Sequence, residues 1–184
     1  IVGLARFRET LVIFCKNSIY RLGGSSVGDF VLQPVTRNIG CSSRFSIQEI
    51  GGDLIYLAPD GLRTIAGTQK IGDTELGTIS KQVQARLITL TEGQINNISS
   101  HVIRGKSQYR LYYPSGAATE ANSTGLMAVL KRGADTGQIG WEYADLKGIK
   151  PMCAAHGNIS NQDIVLHGDY DGGYVYQQEN GSTL

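Results

Sequence analysis

A recurring hairpin pattern constrains this chain more than any other feature. Residues 52–67 read Gly-Asp-Leu-Ile-Tyr-Leu-Ala-Pro-Asp-Gly-Leu-Arg-Thr-Ile-Ala-Gly: an apolar run, Leu54 to Leu57, leads into Pro59-Asp60-Gly61, and Leu62 and Ile65 follow. Asp-Gly between two apolar runs is a strong local hairpin signal, because Gly tolerates the positive φ such turns need. The pattern is also found 43 positions earlier. Leu11-Val12-Ile13-Phe14 stands over Leu54-Ile55-Tyr56-Leu57, Asn17-Ser18 over Asp60-Gly61, and Ile19 and Leu22 over Leu62 and Ile65. Two looser copies follow. Tyr109–Tyr113 runs into Pro114-Ser115-Gly116, and Ile164-Val165-Leu166 runs through His167-Gly168 and Asp169-Tyr170-Asp171-Gly172-Gly173 into Tyr174-Val175-Tyr176. A hairpin recurring every 40 to 50 residues or so has the period of a propeller blade. The expected fold is all-β: a β-propeller of about four blades or part-blades, continuous over residues 1–184 and part of a larger propeller in a longer chain.

Composition suits many tight turns. Gly accounts for 24 of 184 residues, above the usual ~7 %. The net charge of +1 gives no basic nucleic-acid footprint and no acidic tail. No apolar run approaches the ~18 residues of a membrane span, so no membrane-spanning segment is expected. Cys15, Cys41 and Cys153 are odd in number and widely spaced, which suits neither a metal site nor a disulfide framework. Cys15 reads as a small buried thiol, and a reducing compartment follows as the expectation.

Between the hairpins, Asp29–Val35 reads as a short extended stretch, with Pro34 arguing for an edge or an end. Arg44–Ile50 alternates and is expected to be the inner strand of a blade. Residues 68–78 read as a loop. Apolar residues at 79, 83, 87 and 90 predict a short helix near 79–90. Ser100–Arg104, Gly125–Lys131, Ile139–Ala144 and Lys150–Ala155 read as strands, with loops over 117–124 and a long turn through Gly133 and Gly137.

No nucleophile elbow, phosphate loop or dinucleotide fingerprint is present. Counted from Asp169, an EF-hand loop would place Gly173 at an oxygen-ligand position and Asn180 where a bidentate Glu is required, so the acidic turn reads as a hairpin. His101, His156 and His167 share no close spacing. The four Asn-X-Ser/Thr matches, at Asn97, Asn122, Asn158 and Asn180, are what a chain rich in these residues produces by chance. Trp141 with Tyr109, Tyr112, Tyr113, Tyr143, Tyr174 and Tyr176 could form a sugar-binding face, although at strand spacing such aromatics usually pack between blades. The sequence therefore assigns no catalytic, cofactor-binding or metal residue, and neither an enzyme activity nor a cofactor is expected.

Several segments, taken in order, resemble one family. These are Leu11–Leu22, Phe30-Val31-Leu32-Gln33-Pro34-Val35, Ile39-Gly40-Cys41, the hairpin ending Asp60-Gly61-Leu62-Arg63, and Gly168–Tyr176. Together the chain is similar to the β-propeller tail proteins of short-tailed bacteriophages, of the nozzle or head-to-tail stabilisation type. The resemblance implies a structural virion protein without catalysis, located in the phage tail. Its copies, commonly six, would form a ring below the portal and adaptor, and genome DNA would pass through the lumen without specific binding. The family's proteins are much longer, which implies that this chain is a portion of one. Two other classes remain open: a carbohydrate-binding propeller, and a glycosidase-like propeller, which would need two carboxylates about 5–9.5 Å apart.

The hairpin repeat also predicts burial. Both faces of Leu11–Phe14 and of Leu54–Leu57 are apolar, so both strands are expected to be buried on both sides in adjacent blades, with Asn17-Ser18 and Asp60-Gly61 as exposed turns. On that basis, replacing Asp60 with Ser is expected to do little.

Overall fold

A computed structural model describes residues 1–66, 79–116, 124–132, 139–147, 149–169 and 172–178. The expected loop over 68–78, most of the one over 117–124, the turn through Gly133 and Gly137, and residues Tyr170, Asp171 and Asn180 lie outside the described residues. The described residues are mostly β, in four antiparallel sheets, and the chain divides into two compact units, Ile1–Leu90 and Thr91–Leu184.

In the first unit, strands β1 (Gly3–Phe7), β2 (Thr10–Phe14), β3 (Ile19–Gly23) and β4 (Val31–Thr36) form a meander in chain order. A second meander follows, made of β5 (Gln48–Ile50), β6 (Asp53–Ala58) and β7 (Gly61–Thr64). The 43-residue offset seen in the sequence carries β2 onto β6 and β3 onto β7, and both β2 and β6 are central strands. Gly51 and Gly52, at φ 61° and 76°, form the two-residue turn that joins β5 to β6. Such turns match the twist of the flanking strands, and positive φ at both positions is why glycine fills them. At the next turn Ala58 pairs with Gly61, so the turn residues are Pro59 and Asp60, and Gly61, at φ 127°, opens β7 instead of sitting inside the turn.

The core of this unit lies between the two sheets. Val12 and Phe14 of β2 meet Leu54, Tyr56 and Ala58 of β6, with Phe7, Ile19, Cys41 and Ile65 around them. The Phe14 and Tyr56 rings meet at 5.2 Å and 57°. By the offset, Leu54 and Tyr56 are the counterparts of Leu11 and Ile13, not of Val12 and Phe14. One face of the first meander therefore packs on the opposite face of the second.

The burial expectation holds for β6, where Leu54 to Ala58 are all buried. It needs correction for β2: Val12 and Phe14 are buried, but Leu11 and Ile13 are only half-buried. The row Leu4, Ile13, Tyr20, Pro34 and the row Arg6, Leu11, Leu22, Leu32 lie on that outer face. Leu4 is 58 % and Leu32 56 % exposed.

Arg44–Ile50 is also not the continuous strand its alternation predicts. Arg44–Ser46 is a 3₁₀ turn, and only Gln48–Ile50 pairs. The reason is a backbone requirement. β5 stops short of Leu57, so the buried Ser46 hydroxyl accepts the Leu57 N–H at 2.9 Å and donates to the Ser43 carbonyl at 2.6 Å, while the Leu57 carbonyl accepts the Ser42 N–H at 2.8 Å. On the other side of the sheet the buried Ser80 hydroxyl accepts the Leu62 N–H at 2.8 Å. Buried backbone groups are nearly always paired, and here serine side chains complete the short ladder. Within the segment expected to be helical, helix α1 forms a single turn, Gln84–Leu87.

Gly40 is fixed by close approach. A Cβ there would lie inside contact distance of the Cys15 and Lys16 carbonyl oxygens, and the neighbouring Cys41 N–H donates to the Cys15 carbonyl at 2.9 Å. Gly40→Ala should lower the stability of this unit by about 2 kcal/mol in urea unfolding, within the range for overpacking, because backbone cannot step aside as a side chain can.

The second unit opens with helix α2 (Glu92–Asn96), which the sequence reading overlooks. Its start is a capping box: the Thr91 hydroxyl accepts the Gln94 N–H, and the Gln94 side chain accepts the Thr91 N–H at 2.8 Å. Thr-X-X-Gln is the sequence pattern for this arrangement. Strands β8 (Ser99–Ile103), β9 (Gln108–Tyr113), β10 (Thr124–Arg132) and β11 (Ile139–Lys147) form the third meander, and β12 (Pro151–Ile159), β13 (Gln162–Asp169) and β14 (Val175–Gln178) form the fourth. Ser160 and Asn161, both at positive φ, join β12 to β13 in a two-residue turn. β9, an inner strand, is buried from Tyr109 to Tyr113, and β8 is buried throughout although it lies at the edge of its sheet.

Candidate functional site

Among the described residues, no three His, Cys, Asp or Glu side chains group as a metal site. Two polar clusters nevertheless stand inside the apolar framework. The first is at the β6–β7 turn. Arg63 on β7 is buried, and its Nε donates to both Asp60 carboxylate oxygens, at 2.9 and 3.1 Å, while its terminal nitrogen reaches Oδ2 at 2.5 Å. The Asp60 side chain is one-third exposed. The turn that was expected to be a free surface loop thus holds the counter-ion of a buried guanidinium. Asn17, its counterpart by the offset, is exposed as expected.

The second cluster lies in the second unit. The cross-strand registers put His101, Arg110 and Tyr112 on one face of the third meander, and His167, Tyr176 and Gln178 on one face of the fourth. Gln178 links them. Its Oε1 accepts from Arg110 Nη1 at 2.9 Å and from the Tyr112 hydroxyl at 3.3 Å, and its Nε2 lies 3.3 Å from His167 Nδ1. Arg110 also donates to Gln108 Oε1 at 2.9 Å. The His101 ring stacks on Tyr112 at 5.6 Å, and the His167 ring on Tyr176 at 5.5 Å. Burial holds His167 below its ordinary pKa, against a weaker upward pull from Asp169. Two of the three histidines thus join one network, across sequence distances that no motif spans. His156 stays exposed on β12.

The aromatic residues considered as a sugar-binding face divide. Tyr109, Tyr112 and Tyr113 are buried, and Trp141 and Tyr143 are half-buried, with burial pushing the Tyr143 hydroxyl pKa upward. Tyr174 is 65 % exposed and Tyr176 less so, with their rings edge to face at 6.2 Å. Val175 and Leu166 are exposed as well, on the face of the fourth meander turned away from Gln178. A cleft of about 400 Å³ runs between the turn after β8 and strands β13–β14, lined by Ile103, Lys106, Asp163, Val165, Gln177 and Gln178. At its rim the Gly105 N–H donates to the Asp163 carboxylate at 3.0 Å.

All three cysteines are free thiols. Cys15 follows β2 and is half-buried, so it is not the fully buried thiol expected. That description fits Cys41, whose burial pushes its pKa up to about 11. At the acidic turn, Asp169 donates its N–H to the Tyr174 carbonyl at 2.9 Å and accepts the Gly172 N–H on its carboxylate at 3.3 Å. These bonds close the β13–β14 hairpin. In the loop before β4, Asp29 accepts the Ser25 and Ser26 N–H groups and hydroxyls, and these hydrogen bonds hold its carboxyl well below the usual range. No helix among the described residues is long and apolar enough to cross a membrane. No protein-family model matches the chain, and no curated protein matches it in sequence.

Proposed function

We propose that the chain forms blades of a β-propeller and acts as a structural protein of a bacteriophage tail, in a ring of identical copies, six by the resemblance. The observation that carries this reading is the packing in the first unit. Two meanders related by a 43-residue offset stack front to back, joining Val12 and Phe14 to the counterparts of Leu11 and Ile13. In a two-sheet sandwich the stacking ends once the two inner faces meet. Front-to-back stacking leaves each end ready for another sheet, as in propellers and other repeat arrays. The half-covered row through Leu4, Ile13 and Tyr20 is such an end.

In the tail, the ring would sit below the portal and adaptor and extend the channel for genome DNA. A net charge of +1 suits a passage that must not hold phosphate tightly. Cryo-electron microscopy of the particle that carries this chain tests the reading. Density for the chain in a ring on the tail axis is the expected outcome, and a soluble monomer found outside any particle would sink it.

The exposed pair Tyr174 and Tyr176 favours a second reading, a carbohydrate-binding propeller. A glycan array separates the two. Binding lost on Tyr174→Ala or Trp141→Ala supports the second, and no binding across the array removes it.

A further inference from the structure

We infer that Gln178 and His167 form an acid-released latch that holds β14 against β9. The argument starts from hydrogen-bond direction. Arg110 can only donate, so the Gln178 atom it reaches at 2.9 Å must be the carbonyl oxygen. The Tyr112 hydroxyl donates to the same oxygen. The other end of the Gln178 amide is then NH₂, a donor, and it faces His167 Nδ1 at 3.3 Å. His167 Nδ1 must therefore offer its lone pair, which fixes the ring as the neutral tautomer with its proton on Nε2. Protonated His167 would set an N–H against the N–H of Gln178. The amide cannot turn over to relieve this without setting its NH₂ against the Arg110 guanidinium.

The surrounding groups bear on the same equilibrium. On His167's own strand, Asp169 pulls the pKa up, but burial outweighs it and the net direction is down. On β9, Arg110 is positively charged. On β14, Tyr176 stacks on the ring, and on β8, His101 stacks on Tyr112. On β12, Ala154 pairs opposite His167, Cys153 precedes it, and His156 lies two residues further on, opposite Val165. A histidine held neutral in the folded state binds fewer protons there than when unfolded. The latch's contribution is therefore complete above the unfolded pKa of about 6.5 and is lost as pH falls below it. Gln178 and His167 are both buried, and Gln178 bridges the two sheets of this unit, so acid is felt at β14 first.

The test is NMR and amide hydrogen exchange on the full chain between pH 7.5 and 5. His167 is expected to show the Nε2–H tautomer at neutral pH and to titrate below its ordinary value. The β14 amides, corrected for intrinsic exchange, should open more often at pH 5 than at pH 7.5, because a pKa lowered in the folded state makes protonation work against the latch. His167→Asn, which keeps an acceptor near the Nδ1 position but does not titrate, should remove that acid dependence. Gln178→Glu should reverse its sign, because a carboxylate accepts from Arg110, Tyr112 and protonated His167 alike. A wild-type His167 that titrates at or above its ordinary value would overturn the latch, as would an acid response unchanged in His167→Asn. If His167→Asn does not fold, the wild-type titration and the Gln178→Glu response decide between the same two outcomes.

Discussion

Ile55→Asp should abolish the folding of the first unit. Ile55 has no exposure, and it sits mid-strand in β6, whose residues from Leu54 to Ala58 are all buried. It pairs with Gln48 on one side and Thr64 on the other, and neither can supply a positive charge. Neither cross-strand partner offers a carboxylate a cation, and an uncompensated buried charge costs several kcal/mol. Domains of this size are stable by only about 5–15 kcal/mol, and the loss of packing adds to the penalty. Circular dichroism should lose the cooperative unfolding transition of residues 1–90, and expression should shift to the insoluble fraction. Ile55→Val is the control, since losing one methylene should cost only about 0.5–1.5 kcal/mol. A soluble, cooperatively unfolding Ile55→Asp protein would mean that β6 is not a two-sided core strand.

Asp60→Ala should lower stability by about 3 kcal/mol, the low end of the range for a broken buried ion pair because Asp60 is itself partly exposed. The cost comes from Arg63, whose guanidinium stays buried on β7 after its carboxylate is gone. The double variant Asp60→Ala/Arg63→Met should recover part of the loss, because it removes the buried charge along with its carboxylate. Urea midpoints of the two single variants and the double variant close the cycle. Equal midpoints for Asp60→Ala and wild type would show that the pair contributes nothing. From the sequence, Asp60 looks like a replaceable turn residue. Its role comes from the β6–β7 register, which sets Arg63 opposite Tyr56 in the core.

The sequence by itself determined the repeat and the strands that carry it. β2 and β6, β3 and β7, and the β10–β11 pair were legible because apolar runs and turn residues act over a few positions, and their pattern is local. The capping box Thr91–Gln94 and the Gly51-Gly52 turn were equally local, and were readable though overlooked. What lay beyond the sequence is what depends on distant partners. Arg44–Ser46 alternates like a strand, yet it turns so that Ser46 can satisfy the Leu57 N–H, 11 residues away. The outer face of β2 is as apolar as the inner one, and only the stacking of the sheets decides which is covered. Arg110 and Tyr112 reach Gln178 across 68 and 66 residues, a span at which neither periodicity nor spacing carries information. Only the tertiary structure, by facing two sheets, placed those donors and acceptors within bonding distance. A hydrogen bond requires a separation of about 3 Å, and chain order alone does not supply it.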